Sequence, residues 1–241
     1  MSLSYGQIKP IDIEIVRDAF GVPHIYGKTD ADTAYGLAWV HSEDDFMTIQ
    51  KAYLAGNQLL SSYLANDGII VDFLTQFIES KKTVDELFST LSDDFIKILE
   101  AYSQGINRYA ELHPEEVLVK DLFPITPKKM LNYSFLQLFI SNGADQLVSK
   151  IISNNTVDLS NLGINDDIQG SNTFAFNNNK TKNGETYLAI NTHQPLDGPN
   201  SWYEVHLNSE EGTNILGATF AGAPCILTGV NEHLAWTHTV N

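Results

Sequence analysis

Only one cysteine stands among the 241 residues, so no disulfide can form within the chain and a small, disulfide-stapled fold is excluded. Basic residues are scarce as well. Fourteen Lys and Arg face thirty Asp and Glu, for a formal charge of −16, and no cationic cluster is available to follow a phosphate backbone, which excludes nucleic acid as a partner. No apolar run approaches the roughly 18–20 residues that span a bilayer. The opening MSLSYGQIKP lacks the basic and apolar regions of a signal peptide. The seven histidines form no H-E-x-x-H, and HSEDD at 41–45 reads as a helix continuing with an acidic face, so no catalytic metal is expected. Internal repeats and low-complexity tracts are absent too.

What is present suits a folded core: 43% of the residues are apolar, and the length fits one large domain or two small ones. Cys225, in the apolar GAPCILTG, is expected to be a small buried hydrophobe. Residues 11–27, IDIEIVRDAFGVPHIYG, read as two strands of a hairpin, with Ile11, Ile13 and Ile15 alternating with charges and Gly21 at the break. Asp30 or Asp32 then caps a helix carrying Ala34, Leu37, Ala38 and His41 at helical spacing, and the pattern runs on to Leu60. Ser92 with Asp93 and Asp94 opens a second helix, whose apolar face is Phe95, Ile98, Leu99, Tyr102 and Ile106. A third follows Pro127, over about 128–141.

After residue 143 the texture changes. SNNTVDLSNLGINDDIQG has no helical period and reads as an exposed loop or linker. Beyond Gly170 the pattern is β: NTFAF, a turn, ETYLAIN, WYEVHLN, a turn, TNILGATFAG, PCILTG and NEHLAWTHT. A hairpin folding near residue 180 or 181 sets Ser171 opposite residues around 190–192 and brings His193 close to it. The chain is thus α+β, helical in its first half and antiparallel β in its second.

Ser171, in DDIQGSNTFAF, stands where the polar run meets the alternating one. A lone serine there is by itself a turn residue, and GSNTF is not the G-x-S-x-G strand-to-helix elbow, because a strand follows and the second glycine is missing. One route would make it a nucleophile without any histidine base. If the chain is cut just before it, its own α-amino group, with a pKa of about 7.7–8.0, can take the hydroxyl proton. A preceding glycine would tolerate the strained backbone such a cut needs.

Five blocks in order, VRDAFGVPHIYG (16–27), DADTAYGLAWVHSEDDFMTIQ (30–50), QGSNTFAF (169–176), NTHQPLDGPNSWYEVHL (191–207) and GVNEHLAWTHT (229–239), resemble successive signatures of the penicillin amidase family of N-terminal nucleophile hydrolases. The family includes penicillin, cephalosporin and acyl-homoserine-lactone acylases. The resemblance implies the αββα sandwich of those hydrolases, incomplete here, and a precursor that cleaves itself and then hydrolyses the amide between an acyl group and an amine. Residues 1–154 resemble the acylase α chain, 155–170 a linker or spacer, and 171–241 the start of the β chain.

Carried over position by position, Ser171 matches the nucleophile, and Gly170 the residue whose carbonyl is attacked in self-cleavage. His193 matches the position that holds the serine amine in acylases of the homoserine-lactone type. Val240, by an ungapped count from Ser171, falls where a backbone N–H donates to the oxyanion. Asn172 and NSWYEVHL are assigned to framing the site, and His24 to packing. Two departures bear on substrate choice: Phe174 stands where the family commonly has tryptophan, and Gln194-Pro195 follow His193 in place of His-Leu.

Family members are several times longer, and the resemblance runs on to the last residue. A second oxyanion donor, an arginine of the site and most of the second sheet are therefore expected beyond residue 241. The expectations that follow are little or no acylase activity in these 241 residues alone, and an exposed sheet face open to dimerisation. The partner implied is a small acyl amide. No cofactor is implied, calcium enters only as a structural ion of the full-length protein with no ligand set identified here, and the resemblance implies a periplasmic or secreted protein. The competing reading is an acidic binding or scaffold domain that keeps the fold without processing.

Overall fold

Thr29 fixes where the first long helix begins. Its hydroxyl accepts from the Asp32 N–H while the Asp32 carboxylate accepts from the Thr29 N–H, so each satisfies a backbone donor of the other. In the computed structural model, which describes residues 7–141 and 170–239, this helix is α1 (Asp30–Gly56), interrupted by a non-helical backbone at Asp45. It ends earlier than the sequence pattern suggests, because the chain turns at Asn57, whose side chain donates to the Tyr53 and Lys129 carbonyls. Leu37, Val40, Ile49, Tyr53 and Leu54 on α1 have no solvent exposure, which makes it the central helix of the core.

Three short helices follow, α2 (Ser61–Leu64), α3 (Asn66–Phe77) and α4 (Ser80–Leu87), in a stretch the sequence pattern leaves unassigned. Then come α5 (Asp93–Leu112) and α6 (Pro127–Ser141). Both begin where expected: the Ser92 hydroxyl accepts from the Phe95 N–H, and Pro127 opens α6, where its missing N–H costs nothing. Gly105 lets α5 press on α1. A Cβ there would meet the Tyr35 carbonyl oxygen at 2.6 Å and the Ala38 Cβ at 2.8 Å.

Six strands, β1 (Glu14–Arg17), β2 (Pro23–Gly27), β5 (Tyr203–Ser209), β6 (Asn214–Thr219), β7 (Thr228–Val230) and β8 (Ala235–Trp236), form one sheet in that order. A separate two-stranded sheet is made by β3 (Ser171–Phe176) and β4 (Tyr187–Thr192). All neighbours pair antiparallel except β2 and β5, which run parallel and join the N-terminal hairpin to the C-terminal strands. Ile11 is a correction to the strand pattern: Pro10–Asp12 form a 3-10 turn and Ile11 is 90% exposed. Proline's fixed φ favours that turn over an extended start.

Along β5, Val205, Leu207 and Ser209 are buried while Glu204 is exposed, and Val205 and Leu207 join Ile25 in the core with α1. One α layer therefore lies on one face of the sheet, and His24, His206 and Leu216 alternate onto the other. This is an α+β arrangement in which the first hairpin precedes the helices and joins the later strands through one parallel pairing. Cys225 departs from expectation in that the residue is exposed, although desolvation still pushes its thiol pKa up.

Candidate active site

The candidate site is the open end of the β3–β4 hairpin. The register pairs Ser171 with Thr192, Asn172 with Asn191, and Phe176 with Tyr187, so the returning strand reaches Ser171 where the sequence places it. Gly170 precedes the strand with φ +139°, a backbone state that side-chain-bearing residues avoid. The Ser171 hydroxyl donates to the Gly170 carbonyl oxygen at 2.6 Å. The hydroxyl is thereby held against the peptide group that joins the two residues.

His193 is close to this junction but approaches it from a particular side. Directly opposed residues share a face of a hairpin and successive residues alternate. Ser171 and Thr192 therefore lie on one face, and Asn172 and Asn191 on the other. The side-chain amide nitrogens of Asn172 and Asn191 lie 3.2 and 3.4 Å from His193 Nε2. With these amide nitrogens as donors, Nε2 is the acceptor, and the tautomer that matches them carries its ring proton on Nδ1. That Nδ1 faces Gly170, 3.5 Å from where a Cβ on residue 170 would sit. The histidine ring thus sits beside Gly170, between that residue and the Asn172 and Asn191 amides.

The opposite face carries a feature that sequence reading missed. Trp202 Nε1 donates to Thr192 Oγ1 at 2.7 Å, and the Trp202 ring stacks on Phe220 with centroids 4.1 Å apart. Only the strand register, which pairs Thr192 with Ser171, could have singled out Thr192. Next in sequence, Tyr203 stacks on buried His41 with centroids 3.9 Å apart, and its hydroxyl donates to Asp44 at 2.5 Å. Burial and then the Asp44 carboxylate hold the Tyr203 pKa well up. His24 contacts His206 across β2 and β5, Nδ1 to Nδ1 at 3.0 Å, within the sheet as packing predicts. Val240 lies outside the described residues, as does the expected linker apart from Gly170.

Among the described residues one group brings three potential metal ligands together, His113, Glu115 and Glu116, after α5. It includes an imidazole, unlike the all-oxygen sets calcium takes, with His113 Nδ1 3.8 and 3.6 Å from the Glu115 and Glu116 carboxylates.

The Ser171 hydroxyl, the positive-φ glycine before it and the His193 ring just past the end of β4 thus meet at one point of the hairpin. Residues 12–241 match the family model described as penicillin amidase, and the chain belongs to that family. It is 25% identical over 258 residues to the acyl-homoserine lactone acylase PvdQ of Pseudomonas fluorescens (strain Pf0-1), covering 95% of this chain and 33% of that protein. It is 24% identical over 260 residues to PvdQ of Pseudomonas syringae pv. syringae (strain B728a), with coverage of 95% and 33%. Among solved structures, a thermostable penicillin G acylase from Alcaligenes faecalis is similar at a TM-score of 0.46 and 18% identity, over 63% of this chain and 79% of that one. The chain spans about a third of the length of the curated relatives it matches.

Proposed function

We propose that the chain carries the leading, nucleophile-bearing part of a self-processing acylase precursor, with residues 1–154 as the α-chain region and 171–241 as the start of the β chain. The observation that carries this reading is the junction itself: the Ser171 hydroxyl rests 2.6 Å from the Gly170 carbonyl oxygen, behind a glycine at φ +139°. In self-cleavage Oγ attacks the Gly170 carbonyl carbon, the C–N bond breaks, and the hydroxyl proton goes to the departing nitrogen. Water then hydrolyses the ester, freeing the Gly170 carboxylate and restoring the Ser171 hydroxyl beside a new α-amino group.

That amine, with a pKa of about 7.7–8.0 in its unperturbed state, serves as the base. It takes the Oγ proton as Oγ attacks the substrate amide carbon, and passes it to the leaving amine as the acyl–nitrogen bond breaks. Water hydrolyses the resulting acyl ester. His193 holds the amine through its ring, and the Val240 backbone N–H stabilises the oxyanion, a contribution typically worth about 10²–10³ in rate for one such donor. The chemistry requires no cofactor.

The named activity of the PvdQ relatives makes N-acyl-homoserine lactones the first substrate class, with β-lactam side-chain amides second. The reading includes export from the cytoplasm and assigns turnover to the longer protein rather than to these 241 residues alone. Incubating the full-length protein with N-acyl-homoserine lactones and benzylpenicillin, and assaying the released primary amine, tests the proposal. Release should be lost in Ser171→Ala; undiminished release in that variant would overturn it.

A further inference from the structure

Among the described residues, strands β3 and β4 pair only with each other, and an isolated two-stranded hairpin is marginal in water. Something other than strand pairing must hold the Ser171 end in place. Among the described residues, the side-chain hydrogen bond that ties this hairpin to the segment entering the six-stranded sheet is Trp202 Nε1 to Thr192 Oγ1, at 2.7 Å.

Both ends of that bond are well placed for the task. Thr192 is the residue directly opposite Ser171 and shares its face. Trp202 is fixed from behind, since its ring stacks on Phe220, just past the end of β6, and the next residue, Tyr203, starts β5 and is stacked on His41 and bonded to Asp44 of α1. From Tyr203 the helix–sheet core thus reaches the residue opposite Ser171 through one peptide link and one hydrogen bond.

We infer that Trp202 is a positioning residue: its indole N–H, acting through Thr192, fixes the end of the hairpin so that Ser171 Oγ stays in register with the bond it attacks. The inference rests on the reading of Ser171 as the nucleophile. Small displacements of a nucleophile are costly, because reactivity depends on a near-attack distance and alignment.

Three variants of the whole chain test the anchor. Trp202→Phe keeps a ring against Phe220 but removes the donor, Thr192→Val removes the acceptor at nearly equal volume, and Thr192→Ser keeps it. A neutral hydrogen bond is worth about 1 kcal/mol net, or about fivefold in a local opening equilibrium. Amide hydrogen exchange in β3 and β4 should therefore quicken about fivefold in Trp202→Phe and in Thr192→Val, no further in the double variant, and not at all in Thr192→Ser. Exchange in β5 and β6 should be unchanged.

Unaltered β3 exchange in Trp202→Phe, or additive effects in the double variant, would overturn the anchor. The same variants in the full-length protein should self-cleave more slowly, with Thr192→Ser at the parental rate. A loosened hairpin that cleaves at the parental rate would overturn the positioning role. A full-length parent that never cleaves would overturn the nucleophile reading and this role with it, and the exchange data would show that the anchor itself had not failed.

Discussion

His193 faces Gly170 across the end of the β3–β4 hairpin, with Nδ1 3.5 Å from the point where a side chain on residue 170 would begin. The ring is gripped from behind by Asn172 and Asn191, which occupy its Nε2. Nδ1 is therefore the ring nitrogen turned toward Gly170.

Stability should fall with acid through His41. The ring is 3% exposed and its Nδ1 has no partner, and burial pushes its pKa down from the ordinary 6.5 to about 4 despite the nearby Asp45 and Asp44. Between those values the unfolded chain binds a proton that the folded chain refuses. The contribution is fully present above pH 6.5 and is lost as pH falls toward 4, by an amount on the order of 3 kcal/mol. Urea unfolding at pH 7 and at pH 4.5 measures it. His41→Phe, which keeps a ring against Tyr203, should flatten the slope, and an unchanged slope would contradict the assignment.

Gly105→Ala should destabilise the chain even though alanine is the better helix former by about 1 kcal/mol. The added methyl would meet the Tyr35 carbonyl oxygen at 2.6 Å and the Ala38 Cβ at 2.8 Å, both on α1, and neither can move without shifting the helix. Overpacking of this kind costs about 1–3 kcal/mol. A lowered urea midpoint checks the claim; a raised one would mean that α5 can slide.

The hairpin should drive self-association. Phe174, Phe176 and Tyr187 share one face and are 58%, 47% and 45% exposed, an apolar surface of the kind that seeks a cover. Sedimentation of the 241-residue chain should show concentration-dependent dimers, and Phe174→Ser with Phe176→Ser should shift them to monomer. A strictly monomeric parent would sink this proposal.

Local signals in the sequence carried much of this fold. Ser92 and Pro127 announced α5 and α6 because a cap and a proline act within one turn. The turn in NNNKTKNG set the register that pairs Ser171 with Thr192 because hairpin pairing follows from turn position alone. What escaped was non-local. α2 to α4 lack strong caps: Ala65 and Glu79, which precede α3 and α4, both have positive φ, so tertiary packing rather than local preference sets their ends. Ile11 alternated like a strand residue, but Pro10 turned the backbone before pairing could begin. The Trp202–Thr192 bond and the parallel pairing of β2 with β5 join residues that no local pattern connects. The closeness of Gly170, Ser171 and His193 was legible through register, while the contact of Asn191 with the ring was visible only in three dimensions.

The measurement closest to the central claim is amino-terminal sequencing, with intact mass, of the full-length protein recovered from its native host. The account predicts two polypeptides, one beginning SNTFAF, and a single uncut chain for Ser171→Ala. A parent protein that remains whole, or is cut at a bond other than Gly170–Ser171, would contradict it.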